Sequence, residues 1–250
     1  MLGKSTSDFG FQIASILARN VVTPQQFQTN RCTTHHPHSA SRECNQELKR
    51  LGNALQFFPM STRDGFFKRD PVTCAREMIG CELVWNGCGG IIVETEAYSV
   101  RNDEACHTFT RPSSREFVTR MPAGAAYVYL NYGVHWLLNF LVRGGSEDGF
   151  VLIRALEPTR GIEEMTRRRN MTILKNLCSG PGKLTRSMGI DGTFHGRDLL
   201  SDLDASLRHP SAAPNVHACT RIGITRSADF PWRFVVAGSR FLSVPADRSQ

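Results

Sequence analysis

Two β-prone runs, Ala125-Ala126-Tyr127-Val128-Tyr129-Leu130 and Val134-His135-Trp136-Leu137-Leu138-Asn139-Phe140, are separated by only Asn131-Tyr132-Gly133. A spacer that short makes the chain double back, so the runs are expected to pair as an antiparallel hairpin. Tyr132 then stands at the tip, surrounded by water rather than core. Upstream, Gly90-Ile91-Ile92-Val93-Glu94-Thr95-Glu96-Ala97-Tyr98 reads with a period of two, which puts Ile92, Glu94, Glu96 and Tyr98 on one face of a strand.

All four tyrosines lie between Tyr98 and Tyr132, in a stretch that also holds Glu96, His107 and Asn139. Aromatic faces interleaved with an acid suit a pocket for a flat ring, although tyrosine-rich strands are also ordinary sheet packing. The packing reading is weakest at Tyr132. A large aromatic at a tight turn has little to pack against and is shaped to wedge between stacked bases.

The remaining pattern alternates short helices and strands. Asp70-Pro71 opens a helix through about Gly80, with Asp as cap and Pro in the first turn. Strands are expected near 82–86, 90–98, 125–130, 134–142 and 150–156, a helix from Arg160 to about Leu177, and another opening at Ser179-Gly180-Pro181-Gly182-Lys183. Closing strands are expected at 220–225, 232–237 and 241–244. Hairpin-length connections imply an α+β class: a single compact domain, with a mainly antiparallel β-sheet flanked by helices and a protruding β-hairpin.

Residues 1–59 are polar and lack sustained periodicity after Leu17, so they read as a mobile tail ahead of a folded domain at 60–250, with Met60 a candidate start. Phe9, Phe11, Ile13, Ile16 and Leu17 beside Lys4 and Arg19 resemble a targeting segment, but Asp8 and the lack of an arginine series argue against one. Cys32-x2-His35-His36-x-His38-x5-Cys44 has zinc-ligand residues without the hydrophobic support such sites need, and no metal is assigned. Eight scattered cysteines without a signal segment point to reduced thiols inside a cell. The longest apolar run, Trp136 to Val142, is far too short to cross a membrane. Thirty Lys+Arg against 23 Asp+Glu give a net charge of +7, which suits a polyanionic partner. Gly180-Pro181-Gly182-Lys183 lacks phosphate-loop spacing, but a helix start with a lysine suits a DNA phosphate.

Leu152-Ile153-Arg154-Ala155-Leu156 is apolar enough to be buried on both faces, yet it carries Arg154. A buried guanidinium requires an anionic or carbonyl partner, and Glu96, on another apolar strand, is the economical one.

Five blocks in order carry a resemblance. Val93-Glu94-Thr95-Glu96-Ala97-Tyr98, Asp103-Glu104-Ala105-Cys106-His107, Tyr127-Val128-Tyr129-Leu130-Asn131-Tyr132-Gly133, Leu152-Ile153-Arg154-Ala155-Leu156-Glu157-Pro158 and Cys178-Ser179-Gly180-Pro181-Gly182-Lys183-Leu184 resemble the alkyladenine (3-methyladenine) DNA glycosylase family, from about Phe66 to about Val244. The resemblance implies a monofunctional enzyme of base excision repair, without cofactor and acting as a monomer. Its partner would be duplex DNA containing alkylated or deaminated purines, in the cytoplasmic nucleoid or the nucleus.

It also implies roles. Glu96 would stabilise the charge at C1′ and activate the water, with Arg154 and the backbone carbonyl of Ile222 holding that water. Tyr98, His107 and Tyr129 would sandwich the extruded base, Asn139 would crowd the 2-amino group of guanine, and Tyr132 would fill the vacated stack. Arg111-Pro112-Ser113-Ser114-Arg115-Glu116-Phe117 departs from the family pattern, which puts the loop near the lesion in question. A non-catalytic damaged-DNA-binding protein is expected to lack Glu96 or Arg154, and a free-nucleoside hydrolase has no use for Tyr132.

Overall fold

The computed structural model describes residues 65–246. In chain order the elements are α1 (Pro71–Met78), β1 (Glu82–Trp85), β2 (Cys88–Ser99), α2 (His107–Thr110), α3 (Pro112–Arg120), β3 (Ala126–Asn131), β4 (His135–Val142), β5 (Gly149–Arg160), α4 (Ile162–Arg169), α5 (Pro181–Met188), β6 (Ala205–Arg208), β7 (Val216–Cys219) and β8 (Arg233–Val236). The described strands form one sheet in the order β3-β4-β5-β2-β1-β6, and β8 pairs with both β2 and β7. Every pairing is antiparallel, as expected of the α+β class.

Local chemistry sets the element ends. The Thr73 backbone N–H donates to the Asp70 carboxylate at 2.7 Å, and Pro71 occupies the first turn, so α1 starts where the cap is. Asn86 and Gly87 both take positive φ, 54° and 73°, which matches the twist of a two-residue hairpin between β1 and β2.

β2 organises the sheet. One edge pairs with β5 along its length, while the other is shared by β1, at Cys88–Ile91, and β8, at Glu94–Glu96. Where one partner gives way to the other, the register against β5 shifts between Ile92 and Glu94. This bulge corrects the strict alternation expected for the strand, because an extra residue flips the side chains before it. Ile92 joins the large core with Ala97 instead of sharing a face with Glu94, Glu96 and Tyr98, and Val93 meets Ala155 and Phe241.

The two faces of the sheet differ. Ala126, Val128, Leu138, Phe140, Val142, Val151 and Ile153 pack into the main core with Met78 of α1 and with Leu184 and Met188 of α5. Fully burying a side chain such as Phe140 stabilises by roughly 1.5–3 kcal/mol. On the opposite face Tyr127, Leu141 and Phe150 pack against Cys106, Phe117 and Val118. Gly182, at the start of α5, lies so close to β4 that a Cβ there would meet the His135 side chain at 2.8 Å.

Several expected boundaries are corrected. The helix expected from Arg160 to Leu177 is shorter: β5 runs through Arg160, Gly161 turns the chain at φ 66°, and α4 ends at Asn170 with φ 48°. A separate 3-10 turn spans Leu174–Asn176. The strand expected at 220–225 lies earlier, at Val216–Cys219, and the one expected at 241–244 is not a strand. Those last residues are held largely by side-chain contacts, with Phe241 buried and the Ser243 N–H donating to Glu94. The atypical segment at 111–117 enters α3, whose Phe117 packs edge-on to Tyr127 at 5.1 Å.

Six cysteines among the described residues are free. Burial pushes the Cys74 and Cys81 thiols up to about 12 and Cys178 to about 11, so they stay protonated. The tail and its Cys32–Cys44 motif lie outside the described residues. Among the described residues no cluster of three His, Cys, Asp or Glu is placed to hold a metal, and no helix is long and apolar enough to cross a membrane.

Candidate active site

One row across five strands defines the site. Register aligns Tyr127 with Asn139, Asn139 with Leu152, Leu152 with Glu96, and Glu96 with Arg233. Directly opposed residues project to the same face, so this row lies on the side away from the main core. Strand spacing puts the Glu96 and Asn139 backbones about 10 Å apart, the scale of a purine.

Glu96 is 0% exposed, and both of its oxygens are engaged. The backbone N–H of Ile222 donates to Oε1 at 2.8 Å, the Tyr98 hydroxyl donates to Oε2 at 2.8 Å, and Nη1 of Arg154 lies 3.2 Å from Oε2. A buried carboxylate is tolerable only with such partners. The structure therefore brings together Glu96, Tyr98, Arg154 and Ile222; the Ile222 contact seen is made by its N–H, not by the carbonyl named from sequence.

Arg154 also binds Glu94. Its Nε donates to Glu94 Oε1 at 2.9 Å, closer than its contact with Glu96, and its Nη2 donates to Ser243 Oγ at 3.2 Å. The expected Arg154–Glu96 pair is thus part of a larger cluster. Glu94 further accepts from Arg233 Nε at 2.8 Å, and from the Ser243 backbone N–H and hydroxyl at 2.6 and 2.7 Å. Burial opposes ionisation of Glu94, but the two guanidiniums and Ser243 outweigh it and hold its carboxyl below the usual range. Arg154 is likewise disfavoured by burial but kept charged by Glu96 and Glu94.

A second buried pair positions the loops. Arg221 grips Asp103 through two bonds of 2.7 and 2.8 Å, and it also donates to the carbonyls of Ala97 and Ser227. Its guanidinium carbon sits 4.7 Å from the Tyr98 ring centre. The neighbouring Ile222 is thereby fixed against Glu96, and Tyr98 gains a cationic lid. Burial, then the adjacent Glu96 carboxylate, raise the Tyr98 hydroxyl well above its ordinary range, so it remains a donor.

The aromatic wall lies alongside. His107 opens α2, its ring 4.4 Å from that of Tyr129, and its Nδ1 is 3.2 Å from the Tyr127 hydroxyl. Burial, with the nearby charge of Arg111, lowers His107 to about 4. Near neutrality it is uncharged, with one ring nitrogen accepting and one donating. Asn139 is buried, and its amide donates to the Tyr127 carbonyl at 3.1 Å.

Tyr132 stands apart from this cluster. At the β3–β4 tip it is 88% exposed with φ 50°, flanked by exposed Leu130 and Val134. A non-glycine residue in the left-handed region costs about 1–2 kcal/mol, so the tip holds an aromatic in water at a cost in strain.

A family model described as methylpurine-DNA glycosylase matches residues 65–240. The chain belongs to that family. Proteins named as 3-methyladenine DNA glycosylases are similar over most of the same span. One from Rhizobium etli is 48% identical over 180 residues, covering 72% of this chain and 87% of that protein. Another, from Rhodopseudomonas palustris, is 44% identical over 190 residues, covering 76% and 91%. One from Agrobacterium fabrum is 45% identical over 188 residues, covering 75% and 95%. Family membership makes the protein a hydrolase of N-glycosyl bonds, of the 3-methyladenine DNA glycosylase type, acting in base excision repair of alkylated purines.

Sequence reasoning missed Glu94, Asp103, Arg221, Arg233 and Ser243. Glu94 and Arg233 carried the signal that singled out Arg154, a charge within an apolar strand. Ser243 carried none. A cavity of about 280 Å³ lined by Ile91, Val93, Glu157, Pro214, Val236 and Phe241 includes none of the residues named for the chemistry.

Proposed function

We propose that this glycosylase extrudes alkylated or deaminated purines from duplex DNA and hydrolyses the N-glycosidic bond at Glu96, leaving an abasic site. The observation that carries the reading is Glu96 itself: a fully buried carboxylate, oriented by Tyr98, Arg154 and Ile222, on the sheet face that also carries Tyr127, Tyr129 and Asn139.

In the reaction, Glu96 takes a proton from water. The water oxygen bonds to C1′, and the bond to the purine nitrogen breaks with its electron pair leaving on the base. The carboxylate also offsets the positive charge that develops on the sugar. Arg154 and the carbonyl of Ile222 hold the water, Tyr98, His107 and Tyr129 hold the base, Asn139 screens its edge, and Tyr132 occupies the gap left in the stack. The exposed, strained position of Tyr132 supports the last role, and Glu96 and Arg154 together disfavour a protein that binds damage without cutting.

Residues 60–250 act as the glycosylase domain, working as a monomer on damaged DNA inside the cell, in the nucleoid or the nucleus. Incubation with a duplex carrying one hypoxanthine, followed by alkali, should break that strand at the lesion. An intact strand, from a preparation that does release 3-methyladenine from alkylated DNA, would confine the substrates to alkylated bases.

A further inference from the structure

Three nitrogens of Arg154 have three partners from two parts of the chain: Glu94 on Nε and Glu96 on Nη1, both from β2, and Ser243 on Nη2. Because a guanidinium is planar and rigid, these contacts fix both its position and its plane. Two of the partners meet one another, since Ser243 donates to Glu94 through its N–H and its hydroxyl. Arg233 completes the group, bridging Glu94 and the carbonyl of Val244 at 2.8 and 2.6 Å. Phe241, buried against Val93 and Ala155, anchors the segment that delivers Ser243. The span shared with the family model stops at residue 240, just before Ser243.

Charge gives this arrangement its use. Two carboxylates and two guanidiniums balance in a buried cluster, which is tolerable only while every member stays paired. If Glu96 becomes protonated when it takes the proton from water, Arg154 loses one of its two counter-charges. Glu94 is the anion that still pairs it, so the guanidinium can keep its place throughout a turnover.

We propose that Glu94 and Ser243 are positioning residues for the glycosylase reaction, with the segment Phe241–Val244 closing over the sheet to hold Arg154 against Glu96. The inference rests on the reading of Glu96 and Arg154 as the residues that carry the chemistry.

Release of 3-methyladenine from alkylated DNA under single-turnover conditions, beside lesion-duplex affinity, tests it with wild type, Glu96→Gln, Glu94→Gln, Ser243→Ala, Arg154→Lys and the double variant Ser243→Ala/Arg154→Lys. Ser243→Ala removes the hydroxyl's bonds to both Arg154 and Glu94, so it should slow release about threefold to tenfold with affinity unchanged, and Glu94→Gln should slow it at least about tenfold. Because both act through Arg154, adding Ser243→Ala to Arg154→Lys should cost nothing further. Full multiplication of the two losses, or a wild-type rate for Ser243→Ala, would overturn the proposal even if Glu94→Gln failed to fold. Wild-type release by Glu96→Gln would instead sink the reading of Glu96, which separates the two failures.

Discussion

The centre of the sheet and the tip of its hairpin solve opposite problems with the same kind of strand. At Glu96 the side chain is fully buried and both oxygens are engaged by Ile222, Tyr98 and Arg154. At Tyr132 the side chain is 88% exposed, and the backbone sits at φ 50°. Burial at the first place keeps out bulk solvent, which strengthens every charge interaction around the reacting bond. Exposure at the second leaves apolar surface free for DNA, and strain is accepted to present it. A variant at Glu96 should therefore change chemistry with little change in binding, whereas a variant at Tyr132 should change binding and, through it, excision from duplex.

Glu96→Gln should break the comparison most severely. The amide keeps the shape of the carboxylate but cannot act as base or offset the sugar's charge, so base release should fall about 10²–10⁴-fold. Lesion-duplex affinity should stay nearly the same, because the hairpin tip is untouched. Gel-shift affinity and release of 3-methyladenine, measured on one preparation, check both halves; appreciable turnover at neutral pH would remove Glu96 from its role.

Tyr132→Gly should act through binding instead, with a smaller effect. Stacking of an aromatic on bases is worth roughly 1–3 kcal/mol, so lesion affinity and excision from duplex should each fall about tenfold. Thermal stability should hold or rise by up to about 1 kcal/mol, since glycine relieves the left-handed strain while losing some entropy. Melting curves beside excision rates distinguish this from general damage. A variant that loses stability and activity together would show that Tyr132 packs within the fold.

The hairpin was legible because its signals are local: two β-prone runs, a short spacer, and a side chain at the turn with nowhere to pack. The charged cluster was legible only in part, because pairing is set by strands distant in sequence. Arg154 in an apolar run announced a buried partner, but two glutamates on the same face of β2 were available, and the bulge before Glu94 lies where β1 gives way to β8. Strand ends failed for related reasons. Residues 241–244 carry strand-like composition, yet they are fixed by Ser243 on Glu94 and Arg233 on Val244. β6 was not anticipated, since four residues with little pattern become a strand only by pairing with β1.

Asn139→Ser should sharpen the comparison from the side of selectivity, with the smallest change in total rate. Asn139 shares the row of Glu96 but stands two strands away, where it can touch the edge of a base without touching the bond that breaks. If it obstructs a 2-amino group, shortening it should raise release of undamaged guanine relative to hypoxanthine by about tenfold, the range in which one steric contact discriminates. Its bond to the Tyr127 carbonyl supplies the competing explanation, a side chain that simply satisfies a backbone group in the sheet. Serine is too short to keep that bond unchanged, so a purely structural role would lower both activities together and leave their ratio fixed. Excision from matched duplexes carrying guanine or hypoxanthine at one position decides between them, and an unchanged ratio with reduced rates would return Asn139 to the framework of the sheet.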